Sequence, residues 1–165
     1  MAYSIYSVDG IGGGTLSIAP RPPGGDGLSD AATELGRRGV DWVVSLLASD
    51  EVIRFGLGDA AGEFNRCGIR FSSFAIQDFG TPSVDQAAEL VTALCAGLRE
   101  GQHILLHCHG GVGRSGLMAA AVMIASGFDV RRSIQSISTA RGCQIPETPA
   151  QRAWLEAFAS RTGLR

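Results

Sequence analysis

The chain has 165 residues, a length that suits one domain with a hydrophobic core of its own. Hydrophobic residues make up 45% of it and charged residues 18%, proportions typical of globular rather than disordered proteins. The formal net charge of −2 provides no broad basic surface, which weighs against non-specific binding of nucleic acid or anionic lipid. We therefore expect neither a nucleic-acid partner nor a membrane partner.

The N-terminal stretch shows no sign of a secretory signal, and no apolar run approaches the ~20 residues that a membrane helix requires. Four cysteines are scattered through the chain without CxxC pairs, at Cys67, Cys95, Cys108 and Cys143. Reduced thiols of this kind are typical of a cytoplasmic protein. We expect residues 1–14 to form a mobile N-terminal lead-in and residues 15–163 to form a single domain.

Four apolar runs of strand length follow one another along the chain. They are TLSIAP (15–20), WVVSLL (42–47), IRFSSFAI (69–76) and HILLH (103–107). The continuous runs indicate buried strands of a mostly parallel sheet, whereas TLSIAP is predicted at an edge of the sheet.

Helical periodicity and capping residues fill the intervals between these strands. The first predicted helix is capped by Ser29 or Asp30 and ends at Arg38, and short helical turns are predicted within 49–66. A longer helix is predicted from Ser83 to Gly101, followed by a buried helix over GLMAAAVMIA. The last two predicted helices run from Asp129 to Gly142 and from Thr148 and Pro149 to about Ser160. Strands that alternate with helices predict an α/β fold, with a central, mostly parallel sheet of about four or five strands flanked by helices.

The loop HCHGGVGRSG (107–116) joins the last predicted strand to the buried helix. This placement puts Arg114 and Ser115 at a helix N-terminus, where unpaired backbone N–H groups and the positive end of the helix dipole attract anions. The glycines among residues 110–113 allow an oxyanion to approach the backbone closely. The loop therefore predicts an anion-binding site with the thiol of Cys108 at its base.

Three interpretations of this loop compete. A nucleotide-binding Walker loop requires G-x-x-x-x-G-K-[ST], but here Cys108 replaces the first glycine and Arg114 replaces the lysine. A zinc site would use His107, Cys108 and His109, yet adjacent residues do not readily chelate one tetrahedral ion. A nucleophile in an oxyanion cradle accounts for each part, because the reactive thiolate would be stabilised by the helix N-terminus, the loop amides and a guanidinium. We favour this third interpretation, which needs no metal.

Each remaining residue of the loop has a predicted place in that interpretation. The stretch from His109 through Gly110, Gly111, Val112 and Gly113 to Arg114 would bind the phosphoryl oxygens, with Arg114 supplying a bidentate fork. Ser115 would donate a hydrogen bond to the sulfur as it leaves. His107 is expected to pack and hydrogen-bond behind the loop in a supporting role, and the side chain of His109 is expected at the rim.

HCHGGVGRSG resembles the H-C-x5-R-[ST] signature of the cysteine-dependent protein tyrosine and dual-specificity phosphatases. The similarity extends to FAIQDFGTP (74–82) and ARGCQIPETPAQ (140–151), and it looks closest to the branch of the cyclin-dependent-kinase-associated phosphatases. The resemblance implies a dual-specificity-phosphatase-like fold and a phosphomonoesterase without cofactor or metal. Its implied mechanism passes through a phosphate ester on the sulfur of Cys108.

The resemblance also implies a general acid at Asp78, which lies in a turn-like segment before Gly80 and Pro82. From the residues alone, Asp78 is better explained as the start of that turn, and Asp85 and Asp59 remain alternatives for the acid. Gln151 matches the place of a glutamine that positions water in the family.

Two late residues also have ordinary structural explanations. Gln151 completes a T-x-x-Q capping box with Thr148, which needs no catalysis. Arg141 followed by Gly142 is first of all an ordinary helix end.

The sequence predicts a substrate class only in outline. Phosphoinositides are disfavoured because no lysine stands between Cys108 and Arg114. We expect a phosphorylated protein or peptide as partner, in tyrosine or dual specificity, with phosphate-type anions in the loop. The alternatives are a phosphatase for RNA 5′-ends, nucleotides or sugar phosphates, and a phosphate-binding module without catalysis. Whether Cys143 could resolve an oxidised Cys108 stays open.

Overall fold

The structure, a computed structural model, describes residues 3–8 and 11–163. Its five strands form one sheet in the order β1-β2-β5-β3-β4. Their bounds are Tyr6–Val8 (β1), Thr15–Ala19 (β2), Trp42–Ser45 (β3), Arg70–Ser73 (β4) and His103–His107 (β5). Strand β1 runs antiparallel to β2, and every other neighbouring pair is parallel. The predicted α/β fold with a mostly parallel sheet is confirmed.

Seven helices complete the described part of the chain. They are Gly27–Arg37 (α1), Ser49–Arg54 (α2), Ala60–Arg66 (α3), Val84–Arg99 (α4), Gly113–Ala125 (α5), Val130–Arg141 (α6) and Pro149–Arg161 (α7). Three of the predicted caps are present, since Ser83, Asp129 and Thr148 each accept a hydrogen bond from the backbone N–H three residues later. Among the described residues, no helix is both long enough and apolar enough to cross a membrane.

Two predictions at the beginning of the chain are wrong. The predicted edge strand of residues 15–20 lies inside the sheet, because Tyr6–Val8 pairs along its outer side. That strand falls within residues 1–14, the predicted lead-in; residues 9 and 10 lie outside the described part. Helix α1 begins at Gly27, not after Ser29, whose hydroxyl instead accepts a hydrogen bond from Arg66 at 2.8 Å.

The sheet and its central helix fix the position of the loop. Strand β5 lies between β2 and β3, and His107 at its carboxyl end is in register with Ala19 and Ser45. Helix α5, nearly all of whose residues are buried, follows directly and packs against the sheet and against α4, α6 and α7. The chain therefore leaves the middle of the sheet, at the carboxyl ends of its parallel strands, where α/β proteins commonly bind ligands.

Candidate active site

The loop between β5 and α5 forms the floor of a cavity of about 140 Å³. Its lining consists of Asp78, Phe79, Cys108, His109, Gly110, Val112, Gly113, Arg114 and Glu147. The thiol of Cys108 is buried, and its Sγ lies 3.3 Å from Oγ of Ser115 in the first turn of α5. The structure thus brings Cys108, Arg114 and Asp78, three of the residues singled out in the sequence, to one small cavity.

One of the loop glycines occupies a place that no side chain could share. Gly111 has φ +69°, and a Cβ there would overlap the backbone of Ala19 and Pro20 at the end of β2. Glycine is therefore required at this position by the close approach of the neighbouring segment. At Gly113 a Cβ would meet the carboxylate end of the exposed side chain of Glu147, which can move aside.

Arg114 is fixed by a buried ion pair that the sequence analysis did not predict. Its guanidinium, only 2% exposed, donates to both carboxylate oxygens of Glu51 at 2.6 and 2.9 Å, and to the backbone carbonyl of Ile76 at 2.9 Å. Glu51 also accepts the backbone N–H of Ala48, which caps the start of α2. The signal that could have found it is an acid placed just after the apolar strand run WVVSLL, at the ligand-binding end of the sheet.

The pair keeps both partners charged. Hydrogen bonds from Arg114 lower the pKa of Glu51 and outweigh the burial that opposes ionisation. Burial disfavours the charged guanidinium of Arg114, but the carboxylate of Glu51 and the neighbouring Cys108 and Asp78 together raise its pKa. A permanently charged fork therefore faces the cavity.

Asp78 lies on an exposed segment beside this fork. Its carboxylate, 47% exposed, has Oδ1 at 3.2 Å from Nη2 of Arg114 and accepts the backbone N–H of Phe79. Phe79 itself takes φ +60° and is largely exposed. The alternatives lie elsewhere, because Asp85 pairs with Arg161 and Asp59 precedes α3, and neither lines the cavity.

Gln151 connects helix α7 to the segment that carries Asp78. Its backbone N–H donates to the hydroxyl of Thr148, as a capping box predicts. Its buried side chain accepts the backbone N–H of Glu147 at 3.1 Å and donates to the carbonyl of Gly80 at 3.4 Å. The side chain therefore ties the segment after Asp78 to the start of α7.

Arg141 holds the loop from the side of α6. Helix α6 does end here, with Gly142 in the left-handed conformation, as the sequence predicts. In addition, Arg141 donates to the carbonyls of Gly111 at 3.0 Å and Gly110 at 3.2 Å, and its guanidinium lies 4.3 Å from the ring centre of Tyr6. Bonding these carbonyls from outside leaves the loop N–H groups free to point inward.

The two histidines of the loop differ in environment. His107 is buried behind the loop, and Nδ1 of its ring makes no hydrogen bond to residues 3–8 and 11–163. Burial lowers the pKa of His107 to about 4. His109 is exposed at the rim and stacks on Phe55, with ring centres 4.8 Å apart.

One group of side chains in the described part could in principle hold a cation. Ligand atoms of Glu51, Asp78 and His109 lie within 4.8 Å of one another. Both carboxylates, however, already face the guanidinium of Arg114. The chemistry of this donor set therefore favours an anion held by Arg114 over a bound metal ion.

Comparisons with known proteins agree with this geometry. Residues 20–128 match the family model described as Tc-R-P, a polymorphic toxin system DSP-PTPase phosphatase. Human cyclin-dependent kinase inhibitor 3 is 26% identical over 130 residues, which cover 78% of the chain and 61% of the relative. The chain thus spans about three fifths of the length of the curated relatives that it matches first.

Solved structures show the same fold. A kinase-associated phosphatase with its catalytic cysteine replaced by serine has a TM-score of 0.90 at 20% identity, and the match covers 100% of this chain and 98% of that one. The active form of Tk-PTP has a TM-score of 0.80 at 28% identity, with 98% and 99% of the two chains covered. Because the family model matches well over half of the chain, the chain belongs to the Tc-R-P family, which is described as DSP-PTPase phosphatases of polymorphic toxin systems.

Proposed function

We propose that the chain hydrolyses phosphate monoesters on protein side chains, with Cys108 as nucleophile and without a metal. The observation that carries the proposal is the shared cavity, in which the sulfur of Cys108, the fork of Arg114 and the carboxyl group of Asp78 surround a space of about 140 Å³. A thiol, a cation and an acid around one anion-sized space are the groups that phosphate ester cleavage requires.

In the first step the thiolate of Cys108 attacks phosphorus, and the bond from phosphorus to the leaving oxygen breaks. The N–H groups of residues 109–113 and the guanidinium of Arg114 stabilise the equatorial oxygens, because they are already oriented before the substrate arrives. Asp78 gives its proton to the leaving oxygen, which would otherwise depart as a poor alkoxide or phenoxide leaving group.

In the second step a water attacks the phosphate ester on Cys108, and the bond between sulfur and phosphorus breaks. Asp78, now a carboxylate, takes the proton from that water. Ser115 donates its hydroxyl proton in a hydrogen bond to the departing thiolate, as the 3.3 Å separation from Sγ permits. Gln151 acts on this step by fixing the segment of Asp78 through Gly80, and the resemblance to the family implies that it also orients the water.

Several observations support a protein substrate. The curated relative is named for cyclin-dependent kinases, and the similar solved structure is titled as a kinase-associated phosphatase. The segment 107–116 contains no lysine, which is unfavourable for highly charged inositol lipids. The four cysteines are free, which supports a cytoplasmic place of action.

A test compares kcat/KM for phosphotyrosine and phosphothreonine peptides, RNA 5′-phosphate, nucleotides and sugar phosphates, with Cys108→Ser as the control. We expect a phosphopeptide to be the best substrate and the Cys108→Ser variant to bind it without turnover. Full activity of Cys108→Ser would contradict the nucleophile. Preference for one of the small substrates would instead favour the non-protein phosphatase, and binding without turnover by the wild type would favour a phosphate-binding module.

A further inference from the structure

A second pocket, of about 200 Å³, opens beside the catalytic cavity and shares Asp78 and His109 with it. Its other lining residues are Asp50, Glu51, Arg54, Phe55 and Gln77. None of the steps proposed for catalysis uses Arg54 or Phe55. A group that is attached to the substrate next to the scissile phosphate would reach this pocket first.

The ring of Phe55 contacts three nitrogen-bearing side chains, of which Arg54 and His109 line the pocket and Arg21 lies next to it on the ring. The guanidinium of Arg21 lies 4.2 Å from the ring centre, that of Arg54 lies 5.2 Å from it, and the imidazole of His109 stacks at 4.8 Å. The backbone adds a further link, because Arg21 donates its N–H to the carbonyl of His109 at 3.1 Å. An aromatic face that holds guanidinium groups restricts their motion and leaves their N–H edges able to bind anions.

The charges of this cluster are compensated from within only by one exposed ion pair. In the described part of the chain, Arg21 makes no ion pair, and its side chain donates only to the carbonyl of Pro22. Arg54 pairs with Asp50 at 3.3 Å, but both side chains are more than 60% exposed, and such surface pairs are weak. Glu51 and Asp78, the other acids of the pocket, face Arg114. The guanidinium N–H groups of Arg21 and Arg54 can therefore donate hydrogen bonds to a bound anion.

The catalytic cavity has a different charge where Glu147 lines it. Glu147 lies next to Gly113, is exposed and does not line the second pocket. A substrate that extends from the scissile phosphate toward Arg54 meets a guanidinium, whereas one that extends toward Glu147 meets a carboxylate. This difference favours one direction of a peptide with an acidic group on one side only.

We propose that Arg21, Arg54 and His109, assembled on Phe55, form a subsite for an anionic group next to the scissile phosphate, and that the preferred substrates are phosphopeptides with such a group on one side. The inference rests on the proposed function and deepens it. Aspartate, glutamate and a second phosphorylated residue all supply the required anion. A phosphoryl group should be preferred, because it carries more charge and accepts both N–H groups of a guanidinium fork.

The test uses a set of phosphopeptides with one scissile phosphotyrosine or phosphothreonine. One peptide has alanines on both sides, two carry aspartate on the N-terminal or the C-terminal side, and two carry phosphoserine at the same places, with mass spectrometry to identify the phosphate removed. We expect kcat/KM to exceed that of the alanine peptide by about tenfold for one side only, and the advantage to shrink as salt is raised.

Variants assign that advantage to residues. Arg21→Gln and Arg54→Gln should each reduce the ratio of kcat/KM between anionic and alanine peptides, and the double variant should bring it close to one. Phe55→Leu keeps an apolar side chain but removes the aromatic face, and it should also reduce the ratio. Arg37→Gln, which removes one positive charge from the exposed end of α1, is the matched control and should retain the full ratio.

Binding separates the subsite from the reaction. In the Cys108→Ser background, the dissociation constants of the same peptides should show the same preference and the same loss in the double arginine variant. Equal binding and equal turnover of anionic and alanine peptides would overturn the subsite while the proposed function stands. Anion preference in binding without wild-type turnover of any phosphopeptide would support the subsite and overturn the proposed function instead. The ratio of kcat/KM between anionic and alanine peptides could also fall equally in Arg37→Gln and in the double variant. In that case the overall charge of the protein would explain the preference, and the subsite would also be overturned.

Discussion

The loop that carries Cys108 and the segment that carries Asp78 meet at one cavity, but they are held in very different ways. The loop is buried and fixed from several sides, by the pair of Arg114 with Glu51 and by the bonds from Arg141. The segment of Asp78 is exposed and attached through a few contacts beyond it, among them those from Gln151 to Gly80 and from Trp154 to Pro82. The anion cradle is thus preformed, whereas the proposed proton donor lies on the more exposed part of the site.

Among the variants that test this comparison, we expect the largest effect from removing the proposed proton donor while leaving the cradle intact. Asp78→Asn keeps the shape of the side chain but cannot supply a proton, so kcat should fall by about 10²- to 10⁴-fold. Binding of inorganic vanadate or phosphate should change little, because Arg114 and the loop N–H groups remain in place. Single-turnover kinetics with a phosphopeptide and isothermal titration with vanadate measure the two quantities. An unchanged kcat would move the acid to another residue.

The next effect is on the cradle itself. Glu51→Gln removes the counter-charge of Arg114, and breaking a buried ion pair on one side costs about 3–5 kcal/mol of unfolding free energy. Vanadate affinity should fall together with kcat, unlike in the variant of Asp78. The control is Asp50→Asn, one residue earlier in α2, where the partner Arg54 is exposed and the cost should stay below about 1 kcal/mol. Equal unfolding free energies of the two variants in urea would show that the buried pair does not stabilise the fold.

The same contrast explains what the sequence could predict. The loop 107–116 and the helices from α4 to α7 follow from local signals, namely an apolar run, capping residues and glycines that lie close together in the chain. The partners of Arg114 and of the loop carbonyls come from residues 51 and 141, and only the folded chain brings them to the loop. Nothing in the spacing of these residues marks them, because ion pairs between distant segments leave no periodic pattern.

The strands of the sheet illustrate the same limit at the level of the fold. The buried runs that became β3 and β5 were predictable because they are continuous and apolar. Strand β1 has three residues, Tyr6–Val8, and pairs antiparallel with β2. A run of three residues is too short to show a pattern that predicts such a pairing. Because β1 occupies the edge of the sheet, β2, which was predicted at the edge, lies in the interior of the sheet.

The rigid side of the site should also determine how stability depends on pH. The pKa of His107 is about 4 in the folded chain and ordinarily about 6.5. Between pH 6.5 and pH 4 the imidazole is therefore protonated in the unfolded chain but remains neutral in the folded chain. Its contribution to stability is therefore complete above pH 6.5 and is lost as the pH falls toward 4, by about 3 kcal/mol. Urea unfolding from pH 7 to 4 should show this fall reduced in His107→Gln and retained in His109→Gln. A parallel fall in both variants would contradict this origin.

The smallest predicted effect tests the distinction between the rigid loop of Cys108 and the exposed segment of Asp78. Arg141→Ala removes two hydrogen bonds from the loop carbonyls but no group that touches the substrate, so kcat/KM should fall by about tenfold, or roughly 1.4 kcal/mol of transition-state stabilisation. Because the loop N–H groups would be less well oriented, vanadate affinity should weaken in parallel, and Arg141→Lys should restore part of it. Arg131→Ala, on the exposed face of the same helix, is the control. A loss of kcat/KM without any loss of vanadate affinity would mean that Arg141 acts on the segment of Asp78, and the division of the site into a rigid cradle and an exposed donor would then be wrong at this residue.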